Sequence, residues 1–107
     1  MIFITVKWTI RPERSHEWLS LVDEFTRSTR AEPGNLFFEW YRSVDDPDLF
    51  LLVEAFADGA AGGVHVQSEH FKTAMAWMPD VVASTPEIVN FEIPQQGWSQ
   101  MAEVQPR

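Results

Sequence analysis

Two histidines and one glutamate are the residues of this chain most able to do acid–base chemistry. His65 and His70 stand five positions apart, amid Val64, Val66 and Phe71. An imidazole near the start of a helix is disfavoured as a cation, which keeps it neutral and available as a base. Glu54 is the single charge in the otherwise apolar run Leu49–Ala57. A carboxyl in such a strand needs a partner, and it can serve as a hydrogen-bond anchor, a general acid or base, or an orienter of a histidine. The third histidine, His16, lies beside Glu17 and off any apolar stripe, which marks it as a solvated surface residue. On one continuous helix, His65 and His70 would point about 140° apart, so they do not form a metal-binding pair, and no metal is expected.

Around these residues the chain is unusually rich in rings, with 5 Trp and 8 Phe against a single Tyr among 107 residues. Trp8, Trp40, Phe56, Phe71 and Trp77, with Met75, are the candidates for the wall of an apolar ligand pocket between sheet and helices. Arg42, set among the rings of the second strand, could hold an anionic or phenolate ligand, or pair with Glu54 or a surface acid.

The elements that must position these groups follow from periodicity. Ile2–Arg11 alternates and is rich in β-branched residues, so it forms a strand. Pro12 opens a helix without a good N-cap, and Trp18, Leu21, Val22 and Phe25 give it one apolar stripe before Pro33-Gly34 stops it. Leu36–Val44 and Leu49–Ala57 form a hairpin across the turn Asp45-Asp46-Pro47-Asp48. Asp58–Gly63 reads as a loop or weak helical turn. Ser68 caps a helix that runs to about Met78, where Pro79 breaks it. Ile88–Ile93 is the last strand. The order is β-α-β-β-α-β, the ferredoxin-like α+β unit: a four-stranded antiparallel sheet with helices on one face. Residues 1–94 make up the domain and 95–107 a polar tail that carries Trp98. The second and third strands are apolar on both faces, so the open sheet face is expected to pair with a second copy in a homodimer.

Composition narrows the partners. The net charge of −8 repels phosphate backbones, so no nucleic acid is expected. The absence of cysteine removes thiol nucleophiles, disulfides, iron–sulfur clusters and cysteine zinc sites. No apolar run approaches about 18 residues and no signal peptide opens the chain, so a cytoplasmic protein that does not enter membranes is expected.

Several segments, taken in order, resemble one family. These are Glu39-Trp40-Tyr41-Arg42-Ser43, Asp45-Asp46-Pro47, Glu54-Ala55-Phe56 and His65-Val66-Gln67-Ser68-Glu69-His70-Phe71. Arg11-Pro12-Glu13 and Arg30-Ala31-Glu32-Pro33-Gly34 fit as well. Together, over about Met1 to Pro94, they resemble the antibiotic biosynthesis monooxygenase (ABM) domain family, and within it the quinol monooxygenase branch. The resemblance implies a dimeric α+β barrel. It also implies oxidation of a phenolic, hydroquinone or anthrone-like molecule by molecular oxygen without metal, flavin or haem. It places His65, Ser68, His70 and Phe71 on the motif of the quinol-oxidising branch, and Glu54 on its strand-three glutamate. Haem-degrading relatives use an Asn on the first strand, which this chain lacks between Ile2 and Ile10. Two other functions use the same residues: a non-catalytic dimer that binds an aromatic small molecule, or an isomerase of a small oxygenated metabolite.

Overall fold

The computed structural model describes all residues, 1–107. Strand β1 (Ile2–Thr9) pairs antiparallel with β3 (Leu49–Phe56) on one side and with β4 (Glu87–Glu92) on the other, and β2 (Asn35–Arg42) pairs with β3. The sheet order is β2-β3-β1-β4, as the ferredoxin-like reading requires. Register decides what the helix-facing side presents. Ile4 lies opposite both Glu54 and Asn90, Val6 opposite Leu52 and Ile88, and Trp8 opposite Phe50. Glu54 is thus embedded in apolar rows on a central strand.

The first helical segment differs from a single continuous helix. Pro12–Glu17 is a 3-10 turn with no side-chain cap, followed by α1 (Trp18–Leu21) and α2 (Asp23–Arg30), with Val22 out of helical geometry between them. The expected stripe still points inward. Trp18, Val22 and Phe25 are buried, and Thr29 joins them.

The Gly/Ala-rich stretch is a helix rather than a loop. Asp58 accepts a hydrogen bond from the Ala61 backbone N–H at 2.8 Å and starts α3 (Gly59–Gln67). This cap, which satisfies one of the open N–H groups of the first turn, outweighs the poor helix propensity of three glycines. Ser68 then interrupts the helix with extended backbone, and its hydroxyl caps α4 (Glu69–Trp77) at the Phe71 N–H. A short 3-10 turn at Met78–Asp80 ends the segment.

The core lies between the sheet and the helices, with Trp18, Phe38, Phe50, Ile10 and Leu52 essentially inaccessible. The indole N–H groups of Trp8 and Trp18 are buried there without an acceptor, a cost of about 1–3 kcal/mol each. On the opposite sheet face Phe3 contacts Phe37 and Phe91, and Trp98 of the tail stacks on Phe37 with ring centroids 5.3 Å apart.

One close approach brings α3 to the chain that carries Glu32. The Gly34 Cα lies so near Ala61 that a Cβ there would overlap the Ala61 methyl group. Gly34→Ala should therefore destabilise the protein by about 1–3 kcal/mol, the usual cost of overpacking. Urea denaturation checks this, and the double variant Gly34→Ala/Ala61→Gly should recover most of the loss.

Candidate active site

The Ser68 break resets the helical phase, so His65 on α3 and His70 on α4 do not diverge as they would on one helix. Their rings lie 6.0 Å apart, and both reach the same atom. His65 Nδ1 is 2.8 Å from Glu32 Oε2, and His70 Nε2 is 2.6 Å from it. The expected angular separation of about 140° fails because it assumed one uninterrupted helix. Glu32 follows the end of α2 and its side chain is buried, with Oε1 lacking a partner.

Glu32 was not among the candidates read from the sequence, although it lies in one of the segments that carry the family resemblance. Its only local signal is the helix stop at Pro33-Gly34, which says nothing about where the preceding side chain points.

A carboxylate oxygen between two ring nitrogens accepts from an N–H of each. That fixes His65 as the Nδ1–H tautomer when neutral and leaves its Nε2 lone pair free. Nε2 lies 4.0 Å from Glu54 Oε1. Glu32 therefore takes the orienting position that the sequence reading considered for Glu54, and Glu54 faces the other edge of the ring.

The three donors of Glu32, His65 and His70 lie within 4.8 Å of one another. Oε2 sits between the two rings at hydrogen-bond lengths.

Burial sets the protonation of the two groups that face each other. Desolvation, with the neighbouring Glu32 charge adding to it, pushes the Glu54 carboxyl up to about 8, so it holds its proton at neutral pH. Desolvation also lowers His65 below the usual histidine range, and the Glu32 hydrogen bond and charge oppose this without reversing it. The pair is thus a neutral base beside a neutral acid.

Both open onto a cavity of about 310 Å³, walled by Trp8, Phe25, Leu52, Phe71 and Met75, with Asn90 the further polar group. This is the apolar space between sheet and helices that the ring count suggested. His70 does not reach it. Its side chain is partly exposed and faces a separate groove between α2 and α4, beside Ser28 and Thr73.

Of the other expected wall residues, Trp8, Phe71 and Met75 line the cavity and four do not. Phe56 is fully buried behind His65, its ring 4.8 Å from the imidazole. Trp40 points into the helix layer, where its N–H donates to Thr26 Oγ1 at 2.9 Å. Trp77 lines surface grooves. Arg42 stands near the far end of the β2–β3 hairpin, over the Phe50 ring and donating to the Pro47 carbonyl, and meets neither Glu54 nor the cavity. Strand register separates Arg42 from Glu54, because Arg42 pairs with Phe50 and Glu54 with Phe38.

The sequence profile described as antibiotic biosynthesis monooxygenase matches residues 1–77. The chain belongs to that family. YcnE of Bacillus subtilis (strain 168) is similar to this ABM protein at 26% identity, over 87% of this chain and 98% of its own. A crystal structure of antibiotic biosynthesis monooxygenase superposes with a TM-score of 0.80 at 25% identity, over 89% of this chain and 100% of the other. Rv0793 from Mycobacterium tuberculosis shares the fold at a TM-score of 0.81 and 20% identity, over 91% and 98% of the two chains. No helix of this ABM protein is long and apolar enough to cross a membrane.

The raised carboxyl makes stability depend on pH. Glu54 keeps its proton to about pH 8 in the folded protein and loses it from its ordinary value of 4.5 when unfolded. Between those values the folded state binds more protons, so stability falls as pH rises and levels off above about 8. Glu54→Gln should remove this slope. From pH 5 to pH 8 the variant should gain on the wild type by something on the order of 4 kcal/mol. Urea denaturation at both pH values checks it, and a pH-independent difference contradicts the assignment.

Proposed function

We propose that this protein is a monooxygenase that inserts oxygen from O2 into an electron-rich phenol, hydroquinone or anthrone-like molecule held in the 310 Å³ cavity. The observation that carries the reading is a buried histidine–carboxyl pair on an apolar cavity: Nε2 of His65 faces the Glu54 carboxyl 4.0 Å away. Triplet oxygen reacts slowly with closed-shell molecules, and this chemistry is normally left to a cofactor. A phenolate can donate the first electron itself, so the protein needs only to make and hold that anion.

In this mechanism His65 Nε2 takes the phenolic proton and Glu32 holds the ring in place. The Glu54 carboxyl donates a hydrogen bond to the resulting oxyanion, where low dielectric makes it strong. Asn90 supplies a second polar contact, and Trp8, Phe71 and Met75 keep water out. A substrate C–H or CH₂ becomes C=O, the second oxygen atom leaves as water, and the proton held by His65 returns to that leaving oxygen. All four electrons come from the substrate, so the reading requires no external reductant and no bound metal, flavin or haem.

The reading includes a homodimer through the open sheet face. That face carries Phe3 and Phe37 and leaves Val89 56% and Phe91 46% exposed, the kind of contiguous apolar surface that a self-complementary contact covers.

Oxygen uptake by metal-free protein with a panel of hydroquinones and anthrones tests the activity. We expect uptake above autoxidation, reduced roughly 10²–10⁴-fold by His65→Ala. Uptake no higher than autoxidation across the panel would refute it. Substrate conversion under nitrogen would instead indicate an isomerase using the same proton transfers. Light scattering at micromolar concentration should give twice the chain mass, and a monomer there would remove the dimer.

A further inference from the structure

Four of the five tryptophans form one contact cluster. Ring centroids are 5.5 Å apart for Trp8 and Trp18, 5.6 Å for Trp18 and Trp40, 5.9 Å for Trp8 and Trp40, and 5.9 Å for Trp18 and Trp77. The ends of this cluster differ in place. Trp8 is part of the wall of the cavity that holds His65 and Glu54. Trp77 is half-buried and lines a surface groove with Leu21 and Asp80. Trp18, fully buried, joins them.

The second observation is the pair of orphaned N–H groups at Trp8 and Trp18. Indole nitrogen donates only, and phenylalanine would fill most of either site without burying an unpaired donor. Such groups are rare in folded proteins, and redox work is one reason to keep them. When an indole loses one electron it becomes a cation whose acidic proton is this N–H. At Trp8 and Trp18 nothing accepts that proton, so the charge stays reversible and free to move. At Trp77 water can take it.

We propose that Trp8, Trp18 and Trp77 form a relay that carries oxidising equivalents from the cavity to the surface. The relay rests on the proposed oxygen chemistry for its oxidant, a peroxyl radical formed when substrate oxidation goes astray. That radical takes one electron from Trp8 and a proton from the Glu54 carboxyl to become a hydroperoxide, and Glu54 recovers its proton from solvent, matching the one that Trp77 gives up. Trp18 refills Trp8, and Trp77 refills Trp18. Trp77 then loses its N–H proton to water, and a low-molecular-weight thiol returns one electron and one proton, becoming a thiyl radical. The cavity residues are spared, and the damage-prone radical sits where a reductant can reach it.

The test needs no substrate. Ultraviolet light at the red edge of indole absorption ejects an electron from any tryptophan, and an electron scavenger prevents its return. A nitroso spin trap then marks the residue where the radical rests, and tandem mass spectrometry maps it. Trp98 touches Phe37 but none of the four clustered tryptophans, and serves as the internal reference. In the wild type, adducts should collect on Trp77 several-fold over Trp8 and Trp18. Trp18→Phe should lower the Trp77-to-Trp98 ratio several-fold. A second variant, at the half-buried edge, guards against misfolding: Trp77→Phe should move adducts to Trp40. Adducts spread evenly over the cluster, an unchanged ratio in Trp18→Phe, or unchanged Trp40 labelling in Trp77→Phe would each overturn the relay. Because no turnover is involved, a failed oxygen-uptake assay and a failed relay remain separate results.

Discussion

A single buried carboxylate oxygen, Glu32 Oε2, is held by two imidazoles that arrive from two different helices. Removing a charge from water is expensive, and the cost is recovered only while both donors stay in place. This requirement explains much of the helical layer. Gly34 leaves room for α3 to lie against the chain just after Glu32. Asp58 starts α3 at the residue that brings His65 round to the carboxylate. Ser68 ends that helix and begins the next, so that His70 returns to the same point.

The sheet supplies the other half of the arrangement. Register puts Glu54 between Ile4 and Phe38 on the helix-facing side, where burial disfavours its charged form. A second negative charge so near Glu32 is unfavourable, and a proton on Glu54 relieves it. The two carboxyls thus take opposite roles because of their neighbours rather than their chemistry, the logic by which enzymes separate acid from base. His65 sits between them and is held by one while facing the other.

Much of this was legible in the sequence. Alternation in Ile2–Arg11 and the two-sided apolar strands identify the sheet, and the single charge in Leu49–Ala57 singles out Glu54. The histidines stood out by type and setting. Three features were not legible, for physical reasons. Helix formation at Asp58–Gly63 depends on a cap and on tertiary packing, which override propensity. The convergence of His65 and His70 depends on one residue in extended conformation, which periodicity cannot register. Glu32 lies at a helix end, where side-chain direction is set by the turn that follows. Conversely, Trp40, Phe56 and Trp77 looked like pocket wall because a ring on an inward face can meet either a cavity or other side chains, and spacing does not distinguish the two.

The break at Ser68 makes α3 and α4 two rulers with separate zeros. Distance along the chain is measured afresh from Ser68, so a change of length downstream of His70 shifts Met75 along α4 while His65 keeps its place on α3. The part of the cavity wall that Met75 supplies is therefore set independently of the placement of His65 opposite Glu54.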